Sequence, residues 1–209
     1  VIAHEIGHVD VRQRVMGGWG ALLQARWMRT GNALSAPGPH GLSWAERHGD
    51  SLCDAMLKLA RLEELAADEV AGRLVGPELL GEALVEVCCK AHFLADDYMP
   101  LVQALALMDQ DSRVRPFRDM GHGFAAGFAQ SGAASDPQSV VGSDCGDPFH
   151  PPLGQRLQAL GVPPQPLAQV PVTAAEHYFA CLLPALAWTF DRMWWDQVRE
   201  RCYPMLTTQ

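Results

Sequence analysis

Near the start of a 209-residue chain, His4, Glu5 and His8 stand at a spacing that can do metal chemistry. Residues four apart on a helix share a face, so His4 and His8 can aim two imidazoles at one ion. Glu5 follows the first histidine and lies close enough to polarise a water held by that ion. Two imidazole ligands beside a carboxylate base suit metal-assisted hydrolysis, with the metal as Lewis acid. The pattern is short and weak alone, because a catalytic zinc wants three protein ligands and an open position. Apolar Val1, Ile2, Ile6 and Val9 flank it, and Gly7 leaves room for close packing.

A third ligand is available downstream. Arg61 to Asp68 is rich in Leu, Ala and Glu without a breaker and reads as helix. Glu64 and Asp68 fall one turn apart on a common face. Glu64 can supply a carboxylate oxygen to the metal. Asp68 can accept the remaining ring N–H of a ligating histidine, which fixes its tautomer and raises its basicity. Taken alone, Glu63, Glu64 and Asp68 would read as a solvated helix face; the upstream His-Glu-x-x-His shifts the balance towards a ligand set.

These two motifs together resemble the gluzincins. The words around them, Val1-Ile2-Ala3 before the first and Glu64-Leu65-Ala66-Ala67-Asp68-Glu69-Val70-Ala71-Gly72 at the second, are similar to the HtpX-like and CAAX-prenyl-protease-like membrane zinc peptidases. His150-Pro151-Pro152-Leu153-Gly154-Gln155-Arg156-Leu157 resembles the late His-Pro-Pro…Arg segment of that family. The resemblance touches residues 1–16, 58–76 and 147–161 with motifs, and the helices between only loosely. It implies a mostly α, zincin-like metallopeptidase domain binding one zinc ion per chain through His4, His8 and Glu64. Glu5 would be the general base, and protein or peptide chains the substrate. It also implies an inner-membrane setting with the site facing the cytoplasm, and a place in protein quality control. His150 could approach the open metal position, capping it at rest or stabilising an oxyanion. Arg156 could pair with an acidic neighbour, although a solvated helix charge is an equal alternative.

Composition narrows the classes. Hydrophobic residues at 48% with 19% charged suit a globular chain with a real core. A net charge of −8, with no basic run, argues against nucleic acid as partner. No apolar run is long enough to span a bilayer, so membrane association would come through a region upstream of these residues. The chain opens on Val1 directly in the motif helix. In the resembled family, membrane helices and a substrate-holding edge strand precede that motif, so the expectation is a truncated chain, itself soluble. That motivates a second reading, a zinc-binding but catalytically incompetent helical scaffold. The six cysteines lack a C-x-x-C pair and suit reduced thiols better than a disulfide frame.

These residues need helices to position them. The motif helix should cover 1–16 and end at Gly17-Gly18, with helix resuming at Trp19–Arg29 and a loop over 30–41. A helical stretch from about Leu42 should lead into the Glu64 helix and stop near Gly76, with Pro77 opening the next helix to about Met99 and Pro100 another to Met108. Residues 110–118 read as a connector, 119–129 as a glycine-broken apolar segment, 131–148 as a long loop, and Leu153–Leu160 as a short helix. Prolines at 163, 164 and 166 mark a linker, and a helical pair over about 173–202 closes the chain. We expect one domain over 1–209, with ligand helices in 1–109, the loop and His-Pro-Pro helix in 110–161, and closing helices in 162–209. His40, His48, His92, His122 and His177 carry no ligand spacing, and Trp188, Trp194 and Trp195 read as packing residues.

Overall fold

The computed structural model describes residues 1–16, 42–108, 114–130, 141–142, 149–165, 172 and 174–202, and among them every regular element is helical. The mostly α expectation holds. The expected stop at Gly17-Gly18, the helix over 19–29 and the loop over 30–41 lie outside the described residues, as does most of the loop over 131–148. No helix among the described residues is long and apolar enough to cross a membrane.

The chain falls into two compact units, Val1–Glu86 with Gln138–Leu167, and Val87–Pro137 with Ala168–Gln209. In the first, helix α1 (Ile2–Met16) packs along the long helix α2 (Leu42–Val75). Helix α3 (Pro77–Phe93) follows after Gly76, with Pro77 at its first position, where a missing N–H costs nothing. The two short prolyl residues Pro151 and Pro152 lead into α6 (Leu153–Leu160), which packs on α2. Pro152 is extended (φ −50°, ψ 142°), and its carbonyl accepts the first amides of that helix, Gln155 at 2.9 Å and Arg156 at 3.3 Å. The helix ends at Gly161, whose φ of 71° places it in the left-handed region. There Gly161 N–H donates to Gln158 and Val162 N–H to Leu157, both at 3.1 Å. This paired 5→2 and 6→1 closure holds the last carbonyls of α6. Leu153 and Leu157 are buried, as are Ala67, Ala71, Leu80 and Val85 of the same unit.

Helix α1 is inverted in polarity. His4 and Gly7 are buried, whereas Ile2, Ile6 and Val9 are exposed. The hydrophobic effect therefore does little to seat it. Its approach depends on Gly7, where an added Cβ would lie 2.5 Å from the Ala67 carbonyl oxygen and 2.9 Å from the Ala67 Cα. Backbone meets backbone at that crossing, which brings the polar face of α1 within reach of the α2 carboxylates.

The second unit takes the end of α3, a π-helical turn (Leu94–Tyr98), α4 (Met99–Met108), α5 (Met120–Gly127), a 3₁₀ turn (Phe128–Gln130), α7 (Ala174–Phe179) and α8 (Leu183–Cys202). The π turn is a departure from the sequence expectation, which carried α3 on to Met99. Met99 N–H bonds back to the Leu94 carbonyl, five residues earlier, immediately before Pro100. A proline has no N–H to continue the ladder, and a widened turn absorbs the gap. Phe93, Tyr98, Val102, Ala106 and Trp194 form the core of this unit, with Phe124, Phe128 and Trp195 against it. Trp188 departs from its expected packing role: it is 56% exposed, with the Arg192 guanidinium 4.9 Å from its ring centroid.

Candidate metal centre

Three donor groups from two helices converge. His4 and His8 come from α1, Glu64 from α2, and one ligand atom of each lies within 4.8 Å of the others. His4 Nε2 and His8 Nε2 are 3.1 Å apart. Glu64 Oε2 lies 3.3 Å from His4 Nε2, and Glu64 Oε1 lies 3.1 Å from His8 Nε2. Two ligands of one tetrahedral zinc, each about 2.0–2.1 Å from the ion, stand roughly 3.3 Å apart. The observed edges match that spacing.

The proton inventory points the same way. His4 Nδ1 lies 2.9 Å from Asp68 Oδ1, and His8 Nδ1 lies 3.1 Å from Glu63 Oε1. Ionised carboxylates only accept, so both Nδ1 atoms carry protons and donate. In neutral rings both Nε2 atoms are then lone pairs, aimed at each other and at the Glu64 carboxylate. Glu64 Oε2 is buried without a hydrogen-bond partner. Such a cluster of bases needs a cation to hold it together, whether a proton or a metal ion. The donor set fits zinc.

The surrounding charges reinforce this arrangement. The Asp68 hydrogen bond, then the Glu64 contact, raise the His4 pKa from 6.5 to about 9, against the opposing effect of burial. Burial opposes ionisation of Glu64, but the adjacent His4, His150 and His8 more than offset it and hold the carboxyl below its usual range. Asp68 shows the same contest. Burial pushes it up, and Arg156 and His4 bring it down overall. Arg156 grips Asp68 through two bonds, Nε to Oδ2 at 2.6 Å and Nη2 to Oδ1 at 2.7 Å. Such a fork is strong and directional. It ties α6 to α2 immediately behind His4.

The structure thus brings His4, His8, Glu64, Asp68 and Arg156 together. His150 joins them at the edge, its Nε2 3.5 Å from Glu64 Oε2, on the segment that leads into α6. Glu5 is exposed on α1, three residues before His8 and so beside it on the helix surface. Of the histidines without ligand spacing, His40 and the side chain of His48 lie outside the described residues. His92 is on α3, its Nδ1–H donating to the Cys88 carbonyl at 2.9 Å. His122 and His177 are exposed on α5 and α7.

Two features were missed in the sequence. Glu63 reads there as a solvated carboxylate, yet it accepts from His8 and from Arg12. The signal was present, since Arg12 continues the four-residue spacing of His4 and His8. The second is Cys88, which is disulfide-bonded rather than a reduced thiol. Disulfide partners come from the fold and not from spacing along the chain; Cys89 is buried and Cys181 exposed. Comparison of the chain with protein-family models, with curated proteins and with solved structures finds no match.

Proposed function

We propose that this chain is a zinc-dependent endopeptidase of gluzincin type, with His4, His8 and Glu64 as metal ligands and Glu5 as general base. The observation that carries the reading is the convergence of two imidazole Nε2 atoms on a carboxylate whose Oε2 is buried without a hydrogen-bond partner. The His-Glu-x-x-His spacing adds the base, and the resemblance of the three motifs adds the class of substrate, an unfolded protein or peptide. An inner-membrane setting with the site facing the cytoplasm rests on that resemblance alone.

Zinc, when bound, supplies Lewis-acid activation of water and of the scissile carbonyl. The chain's own residues supply positioning and proton transfer. Asp68 keeps the His4 proton on Nδ1 and leaves Nε2 free to ligate, and Arg156 keeps Asp68 ionised and oriented. Glu5 has no ligand to hold and an exposed carboxylate, so it can accept the proton of the attacking water and return it to the leaving amide nitrogen. His150, beside Glu64, is placed to donate to the developing oxyanion.

Cleavage of an unfolded protein, with and without chelator, tests this. The unmodified chain should cleave and lose activity with chelator. Glu5→Gln should keep zinc and lose about 10²–10⁴-fold in rate, the usual contribution of a general base. Full activity in Glu5→Gln would overturn the mechanism. Zinc uptake with no cleavage by the unmodified chain would favour a metal-binding scaffold instead.

A further inference from the structure

We infer that Glu63 and Arg12 form a second positioning relay, which holds the ring of His8 for the metal as Asp68 and Arg156 hold His4. The inference rests on the zinc reading above and adds two positioning residues to it.

The two histidines are backed in the same way. Behind His4 stands a carboxylate, Asp68, and behind that a guanidinium, Arg156. Behind His8 stands Glu63, whose Oε1 accepts from His8 Nδ1 at 3.1 Å, and behind that Arg12, whose Nε–H donates to the same oxygen. One relay cannot serve both rings. They meet edge to face, 83° apart with centroids separated by 4.7 Å, so their Nδ1 atoms point in different directions. Without Glu63 the ring of His8 could place its proton on Nε2 or turn about its side chain, and either change removes a ligand. Arg12 lies one turn beyond His8 on α1, and Glu63 directly precedes Glu64 on α2. The same helix crossing that gathers the ligands therefore assembles the relay.

The two relays differ in exposure, and this makes the inference separable from a general structural effect. The Asp68 side chain is 1% exposed, whereas Glu63 is 18% and Arg12 45% exposed. Salt screens an exposed pair far more than a buried one, with a screening length of roughly 30 Å at 0.01 M and 3 Å at 1 M.

Zinc affinity by chelator competition, at 0.01 M and 1 M salt, tests it on the full chain. Glu63→Ala should weaken zinc binding about 10-fold or more, within the range for groups that orient a ligand. Glu63→Gln, which keeps an acceptor oxygen, should retain most of the affinity. Arg12→Ala should weaken binding at low salt and match the unmodified chain at 1 M. Asp68→Ala should lose its affinity equally at both. In the zinc-loaded chain, the slowly exchanging Nδ1–H proton of His8 should be visible by NMR and vanish in Glu63→Ala, while that of His4 persists. Unmodified zinc affinity and an intact His8 Nδ1–H signal in Glu63→Ala would overturn the relay and leave the zinc site standing. Failure of the unmodified chain to take up zinc would overturn both.

Discussion

The imidazole of His4 lies between Asp68, 2.9 Å from its Nδ1, and Glu64, 3.3 Å from its Nε2. Its pKa, raised from 6.5 to about 9 chiefly by the Asp68 hydrogen bond, sets a pH window. Because the folded value lies above the unfolded one, the stabilisation from protonated His4 is complete below about 6.5 and disappears as pH rises through about 9. The thermal midpoint of the chelator-treated chain should therefore fall across this interval, and the fall should shrink in His4→Gln. A flat profile in the unmodified chain would show that His4 is not held by these carboxylates. Zinc competes with the same proton, so its apparent affinity should climb over the same range.

At the scale of elements, the site depends on how closely α1 approaches α2. Gly7 permits that approach, and a methyl group there would meet the Ala67 carbonyl at 2.5 Å. Gly7→Ala should cost about 1–3 kcal/mol through overpacking. Because backbone cannot yield like a flexible side chain, α1 should shift away, separating His4 and His8 from Glu64, and zinc content should drop with it. Zinc content equal to the unmodified chain, at unchanged stability, would contradict this account of the crossing. Much of the arrangement was legible beforehand. The four-residue spacings of His4 with His8 and Glu64 with Asp68 needed only helices, and Gly76-Pro77 marked where one helix stops and the next begins. What could not be read was the direction each helix faces. Ile2, Ile6 and Val9 suggest a buried apolar flank, but the polar side of α1 turns inward because the carboxylates of α2 are there to receive it. The spacing of Arg12 on His8 was the one sign of the role of Glu63, and the Cys88 disulfide left none, since spacing along the chain does not encode it.

For the molecule as a whole, all the candidate ligands and their supporting carboxylates fall in the unit formed by Val1–Glu86 and Gln138–Leu167. The other unit has its own aromatic core around Phe93, Tyr98 and Trp194. A ligand that binds only the folded site stabilises it by mass action, about 4 kcal/mol at a thousandfold excess over Kd. Zinc should accordingly slow amide hydrogen exchange in α1, in α2 around residues 60–70 and in α6, while α4 and α8 change little. Equal protection in both units, or none in either, would contradict a local site on α1 and α2. The His150 and Arg156 segment was recognisable only through its likeness to a family pattern, since neither residue carries a spacing of its own. Its placement depends on packing between distant parts of the chain, with Leu153 and Leu157 buried on one side of α6 and Arg156 reaching Asp68.

Elemental analysis of the purified chain beside His8→Ala reads the metal centre itself. One zinc per unmodified chain and little or none in the variant is the expected result, because two of three ligands make a poor site. No zinc in the unmodified chain after reconstitution, or equal zinc in both, would contradict the assignment of His4, His8 and Glu64 as a metal centre.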